Sequence, residues 1–204
     1  MSLNIAKATI SPKSSTASGR VENGVYAARI VRVIDLGRQK QTDYKTQEVK
    51  TYDDGNPMIK PEVWVDFEFP TERIEVNGED RPRWLGKSLV ISAHEKSGLY
   101  QVMRAAGLDP KRGNVDDLIG KAVQVEVGTT SGGKAKIVSV SPLMKGMIVG
   151  ELENETAVFE LGDPDPGVFA SLPKFLQERI VTAENWAGFP AGGAYDPADG
   201  TTSV

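Results

Sequence analysis

The chain has no cysteine and a single histidine among its 204 residues. That excludes a disulfide framework, a thiolate metal site and a cysteine nucleophile. His94 has no second histidine with which to form an HExxH-type zinc site, and a polar role ahead of a helix is its plainer reading. No apolar run is long enough to span a bilayer, and the N-terminal residues lack the apolar stretch of a secretory leader. A cytoplasmic location with no membrane partner is therefore expected. Catalytic constellations are also missing. No Ser/His/Asp set stands out, "GTTSGGK" departs from GxxxxGK[ST], and the acid pairs Asp116–Asp117 and Asp163/Asp165 sit where Asp caps or bends a turn. Neither an enzyme nor a cofactor or metal is expected.

What is present is a 39% hydrophobic content, enough for one sizeable core plus appendages. The net charge of −4 is unevenly spread: residues 1–148 hold 22 Lys and Arg against 18 Asp and Glu, whereas residues 149–204 hold 2 against 10. A mildly basic body with an acidic C-terminal segment suits a protein that meets a polyanion with one part and something else with the other. The alternative is a solvated tail that only maintains solubility.

Residues 1–20 are rich in Ser, Thr, Ala and Lys and read as a flexible arm. "NGVYAARIVRVIDLG" is a β-branched strand entered by an Asn-Gly turn. A long polar stretch, "RQKQTDYKTQEVKTY", leads on toward Pro61. "EVWVDFEF" is the cleanest strand, with Val63, Val65, Phe67 and Phe69 on one face and Trp64, Asp66 and Glu68 on the other. A small hairpin over 71–84 turns at Asn77-Gly78, and "KSLVISA" is a further strand. "KSGLYQVMRAAGLDP" is the best helix, capped by Ser97, ended by Gly107, with Leu99, Val102, Met103 and Ala106 at helical spacing. "NVDDLIG" is a short helical turn with Asn114 as its cap. "KAVQVEVGTTSGGKAKIVSV" is a hairpin. Residues 149–167 are acidic and end in a Pro/Gly linker. "LPKFLQERIVTAENW" forms a helix with Leu172, Phe175, Leu176 and Ile180 on one face, and 187–204 is a flexible tail.

With the 71–84 hairpin set aside, five strands remain and one helix lies between the third and fourth. The expected fold is mainly β: an OB-fold, the five-stranded Greek-key barrel, with an inserted hairpin and a C-terminal helical, acidic extension. Residues 21–148 would form the barrel and 149–204 the extension. The apolar helix face must pack on the barrel or on a second subunit, so a homo-oligomer stays open. A chain ending near Ser141 is expected to fold.

The run "GVYAARIVRVIDLG … EVWVDFEF … WLGKSLVISAHEKSGLYQVMRAAGL … DDLIGKAVQVEV" resembles the single-stranded DNA-binding proteins encoded by tailed bacteriophages. "LPKFLQERI" is similar to a segment that follows the barrel in such proteins. The resemblance covers about residues 24–141 plus this short piece. It implies an OB-fold that coats single-stranded DNA during phage replication or recombination, with phage or host replication proteins as partners of the acidic segment. Many relatives of that kind end in a compact acidic tip. Here the acids sit at 151–165 and the end is "DPADGTTSV", so docking through a tail tip is not implied.

Binding single strands without sequence preference needs cations along the phosphates and flat π-faces for the bases. In the loop between strands 1 and 2, Arg38, Lys40, Lys45 and Lys50 are interleaved with Tyr44 and Tyr52. Arg81, Arg83 and Trp84 stand together at the end of the hairpin. Lys134 and Lys136 share a face beside the Gly-rich turn between strands 4 and 5. Trp64 is either a stacking platform or a packing residue under the hairpin or the C-terminal helix. Two other readings remain: an OB adaptor whose face binds protein, and an OB module for RNA or sugar.

Overall fold

The computed structural model describes residues 21–43 and 45–189. The expectations for the arm 1–20, for Tyr44 and for the tail beyond Phe189 lie outside the described residues. Ten elements follow in chain order: β1 (Gly24–Lys40), β2 (Ile59–Val76), β3 (Glu79–Val90), α1 (Gly98–Ala105), a 3-10 turn (Asp116–Leu118), β4 (Ala122–Thr129), β5 (Ala135–Ser141), β6 (Ala157–Phe159), α2 (Pro166–Ser171) and α3 (Lys174–Val181). The fold is mainly β. Five strands pair antiparallel in the order β3-β2-β1-β4-β5, and β6 adds parallel to β1. β1 is the spine: its N-terminal half pairs with β4, while Arg32–Ile34 pair with β6 on one edge and with β2 on the other. The sheet stays open between β3 and β5, where the Lys87 ammonium donates to the Ile137 carbonyl (3.3 Å) in place of a ladder. Among the described residues no helix is long and apolar enough to cross a membrane.

The inner face follows the alternation read from the sequence. Val63, Val65, Phe67 and Phe69 are buried with Ile30, Val123, Val125 and Ile137. α1 closes this core with Leu99, Val102 and Met103, and the Ser97 hydroxyl accepts the Tyr100 N–H (3.2 Å) as the cap. At the 3-10 turn the expected cap is reversed: the Asp117 carboxylate accepts the Asn114 backbone N–H (3.0 Å).

The hairpin over 71–84 is not an insertion. It is the distal end of β2 and β3, whose ladder resumes after Pro70, Thr71 and Glu72 bulge out between the pairs Phe69↔Arg83 and Arg73↔Pro82. Pro70 lies in the bulge and Pro82 beside it, both without N–H donors, where a strand tolerates them. The turn at Asn77 (φ 54°) and Gly78 (φ 82°) has the left-handed backbone of a two-residue hairpin. Beyond Glu68, β2 no longer pairs with β1, so the two strands run on as an arm.

The stretch after β1 is also more ordered than a solvated loop. Thr42 bridges Val49, Thr51 bridges Pro57, and Asp43 accepts the N–H groups of Lys45 (2.8 Å) and Thr46 (3.2 Å). These bonds hold the Asp43 carboxyl below its usual range.

Residues 149–189 wrap the outer face of β1 and β2. A second core there joins Ile34 and Leu36 to Phe159, Phe169, Leu172, Leu176 and Ile180, with Trp64, Trp186 and Phe189 against it. The expected linker contains α2. Asp165 caps it by accepting the N–H groups of Gly167 (2.7 Å) and Val168 (3.0 Å), and Pro166 opens its first turn. Gly37 (φ 70°) lets the wrap close: a Cβ there would stand 2.6 Å from Asn185 Oδ1 and from Leu161.

Polar bonds fasten the wrap. Glu62 accepts Arg179 (2.6 Å) and Gln41 (2.6 Å) and also the Ser88 hydroxyl. Glu68 is fully buried and accepts the backbone N–H groups of Glu153 (3.0 Å) and Asn154 (2.9 Å) and the Asn154 amide (2.8 Å). A chain ended at Ser141 would lose Arg179 from Glu62 and the 153–154 donors from Glu68, and would uncover the apolar side chains of the second core to water. The expectation that it folds is therefore reversed. Such a chain should be unfolded or aggregated, and a dispersed amide NMR spectrum from it would contradict this packing.

Burial raises the Glu62 carboxyl pKa, but the Ser88, Gln41 and Arg179 donors and the Arg179 charge outweigh it and hold the group below its usual range. A carboxyl lowered in the folded state stabilises above its unfolded value near 4.5 and loses that contribution as pH falls through the folded value. The melting temperature of the wild type should therefore drop more steeply on acidification below about pH 4.5 than that of Glu62→Gln. Parallel curves for the two proteins would contradict the assignment.

Candidate nucleic-acid interface

The arm of β2–β3 and the turn between β4 and β5 border a groove of about 570 Å³. Its apolar wall is Val21, Ile74, Val76, Pro82 and Leu85. Arg81, Arg83, Trp84 and Lys134 reach it from two sides, so four of the expected site residues meet in one place. The register explains the arm's share: Ile74 pairs with Arg81 and Val76 with Glu79, so these four side chains share a face. The turn is fixed by the Thr130 N–H donating to the Lys134 carbonyl (2.8 Å) and by the Lys134 N–H donating to the Thr130 hydroxyl (3.0 Å). Lys134 thus leaves a rigid corner.

The cations differ in how committed they are. Arg81 is ion-paired with Glu79 beside it. Arg83 is buried and donates its Nε–H to the Arg73 carbonyl (3.0 Å). Lys134 and Lys136 are exposed, and among the described residues no carboxylate ion-pairs with either. Lys87 lies half-buried close to Lys136. Burial first, then the like charge of Lys136, push its ammonium below the usual lysine range. Cations held together without a counter-charge favour an anion. Arg73, outside the groove, is held by Asp80 (2.9 Å) and Glu153 (2.6 Å), so one acid of the C-terminal segment is spent on the arm. Glu151 lies 3.8 Å from Arg29.

Trp84 is 41% exposed. The Arg32 guanidinium carbon lies 3.9 Å from its ring centroid and covers one face. Trp64 is different. Its Nε1–H donates to Asp66 (2.8 Å), its ring meets Phe175 edge-on (centroids 5.3 Å apart), and it sits against the second core. Of the two readings of Trp64, packing is the one this geometry carries.

Arg38, Lys40, Lys45, Lys50 and Tyr52 do not join the groove. They lie at or beyond the C-terminal end of β1, whereas the turn between β4 and β5 lies beside Gly24 at its start. Arg38 also binds the wrap through its backbone, the N–H donating to Asn185 Oδ1 (2.7 Å) and the carbonyl accepting the Glu184 N–H (3.1 Å). The sequence reading missed Arg32 and Lys87 because both lie on strands read for their apolar neighbours. It also missed the Ile74–Val76 wall. The alternation of 73–76 against the arginines at 81 and 83 was the available signal. His94 serves a turn, its Nδ1 accepting the Lys96 N–H (3.2 Å).

No protein-family model, curated protein or solved structure matches this chain.

Gly86 tests the Trp64 seat. A Cβ there would stand 2.3 Å from the Trp64 ring and from Asp66 Oδ1. Gly86→Ala should cost about 1–3 kcal/mol, read from the urea midpoint. An unchanged midpoint would mean that the indole is not seated over β3.

Proposed function

We propose that this chain binds single-stranded DNA without strong sequence preference, and that its sheet is an OB-type barrel whose β3–β5 seam is left without a ladder. The strand order and the single helix between β3 and β4 support the barrel reading. The binding reading rests on one observation: Trp84, 41% exposed and covered on one ring face by Arg32, borders the same apolar-walled groove as Arg81, Arg83 and Lys134. A base stacked on such a face contributes about 1–3 kcal/mol, and every base has a π-face, so the preference is for unpaired strands and not for sequence. In a duplex the bases are already stacked and paired, and Trp84 has no face to receive. The resemblance to phage proteins implies that this activity would coat single strands during phage DNA replication or recombination. The charges of Glu151 and Glu153 are engaged with Arg29 and Arg73. The acids left for a replication partner are then those further along, such as Glu155 and Glu160.

Titration with oligo-dT at several salt concentrations, followed by tryptophan fluorescence, tests this. Quenching is expected, with log K falling against log salt by about 0.7 per phosphate contact. Trp84→Ala should weaken binding by about 1–3 kcal/mol while the chain stays folded. Lys134→Ala should flatten the salt slope by about 0.7. Salt-independent affinity, or equal affinity for duplex DNA, would contradict the reading. Tighter binding of oligo-rU would redirect it to RNA.

A further inference from the structure

Trp84 does not stand alone on its strand. The Arg32 guanidinium carbon lies over its ring, 3.9 Å from the centroid. Arg32 is 7% exposed and Asp66 4%, so neither reaches a ligand in the groove. They are register partners on β1 and β2, and Asp66 Oδ2 accepts the Arg32 Nε–H (2.9 Å). The other carboxylate oxygen accepts the Trp64 indole N–H (2.8 Å), and Trp64 abuts Phe175 of α3. Burial pushes the Asp66 carboxyl up, while Arg32 and the Trp64 N–H pull it the other way. The result is a continuous line of contacts from the C-terminal wrap across three strands to the underside of the exposed indole.

We infer that Arg32 is a positioning residue for single-strand binding: it holds the Trp84 indole flat and in one orientation, ready to receive a base on its open face. The inference rests on the proposed function. A surface indole without support rotates among rotamers and gives up that freedom when a base stacks on it. One already clamped from below gives up less. Arg32 is spent on Asp66 and shielded from solvent, so it acts through Trp84 and not on phosphate.

A double-mutant cycle on the full chain separates these roles. Arg32→Met with Asp66→Asn removes both buried charges together and keeps volume. This pair should weaken oligo-dT binding about fivefold, the scale of a cation–π contact, with the salt slope unchanged. In a Trp84→Ala background the same pair should have no further effect on affinity. Equal losses in the two backgrounds would overturn the inference as a general structural effect. A slope change of about 0.7 would overturn it in favour of direct phosphate contact, and no loss at all would overturn it outright. If the pair does not fold, Arg32→Lys, which keeps a charge opposite Asp66, is measured in the same two backgrounds. A loss confined to the Trp84 background supports the inference, and equal effects overturn it. A wild-type chain that fails to bind oligo-dT sinks the underlying reading. An unaffected variant beside a binding wild type sinks this inference alone.

Discussion

The outer face of β2 carries a row of carboxylates, Glu62, Asp66 and Glu68, all buried. Each ionised carboxylate placed out of water costs several kcal/mol unless donors replace its hydration. The chain supplies those donors from three places: Arg179, Gln41 and Ser88 for Glu62, Arg32 and Trp64 for Asp66, and the 153–154 backbone with the Asn154 amide for Glu68. Two of the three sets come at least partly from residues beyond 150. The wrap and the sheet therefore require each other, and the acidic segment is structural before it is anything else.

The same row builds the site. Asp66 fixes Arg32, Arg32 lies against the ring of Trp84, and Trp84 borders the groove. Asn154, held by Glu68, also accepts a position at the groove wall and donates to the Pro82 carbonyl (3.1 Å). The β2–β3 arm, freed from β1 past Glu68, provides the remaining wall. The charge balance fits this arrangement. Glu153 neutralises Arg73 on the arm, while Lys134 across the groove keeps its charge uncommitted.

How much of this could be read in the sequence follows from physics. The period-2 row Val63, Val65, Phe67 and Phe69 and the Ser97-capped helix were legible because local pattern and burial agree there. The burial of Asp66 and Glu68 on the other face of "EVWVDFEF" was not legible, because isolated acids belong in water and only distant residues supply what buries them. The 71–84 hairpin read as separate because Pro70 and Pro82 look like breaks, whereas a bulge carries the ladder past them. α2 was hidden by reading Asp-Pro-Gly as a linker, although Asp at the cap with Pro in the first turn is also a helix start. The polar stretch after β1 drew attention through its charges. Its bridges and Asp43 turn are side-chain and backbone bonds that composition does not display. Arg81, Arg83, Trp84 and Lys134 were legible as candidates, but their convergence depends on where the arm and the turn meet.

Hydrogen–deuterium exchange of the full chain, with and without saturating oligo-dT, locates the interface most directly. The account predicts slower exchange in 73–85 and 130–135 and no change in 41–58. Protection confined to 41–58, with the groove segments unaltered, would contradict it.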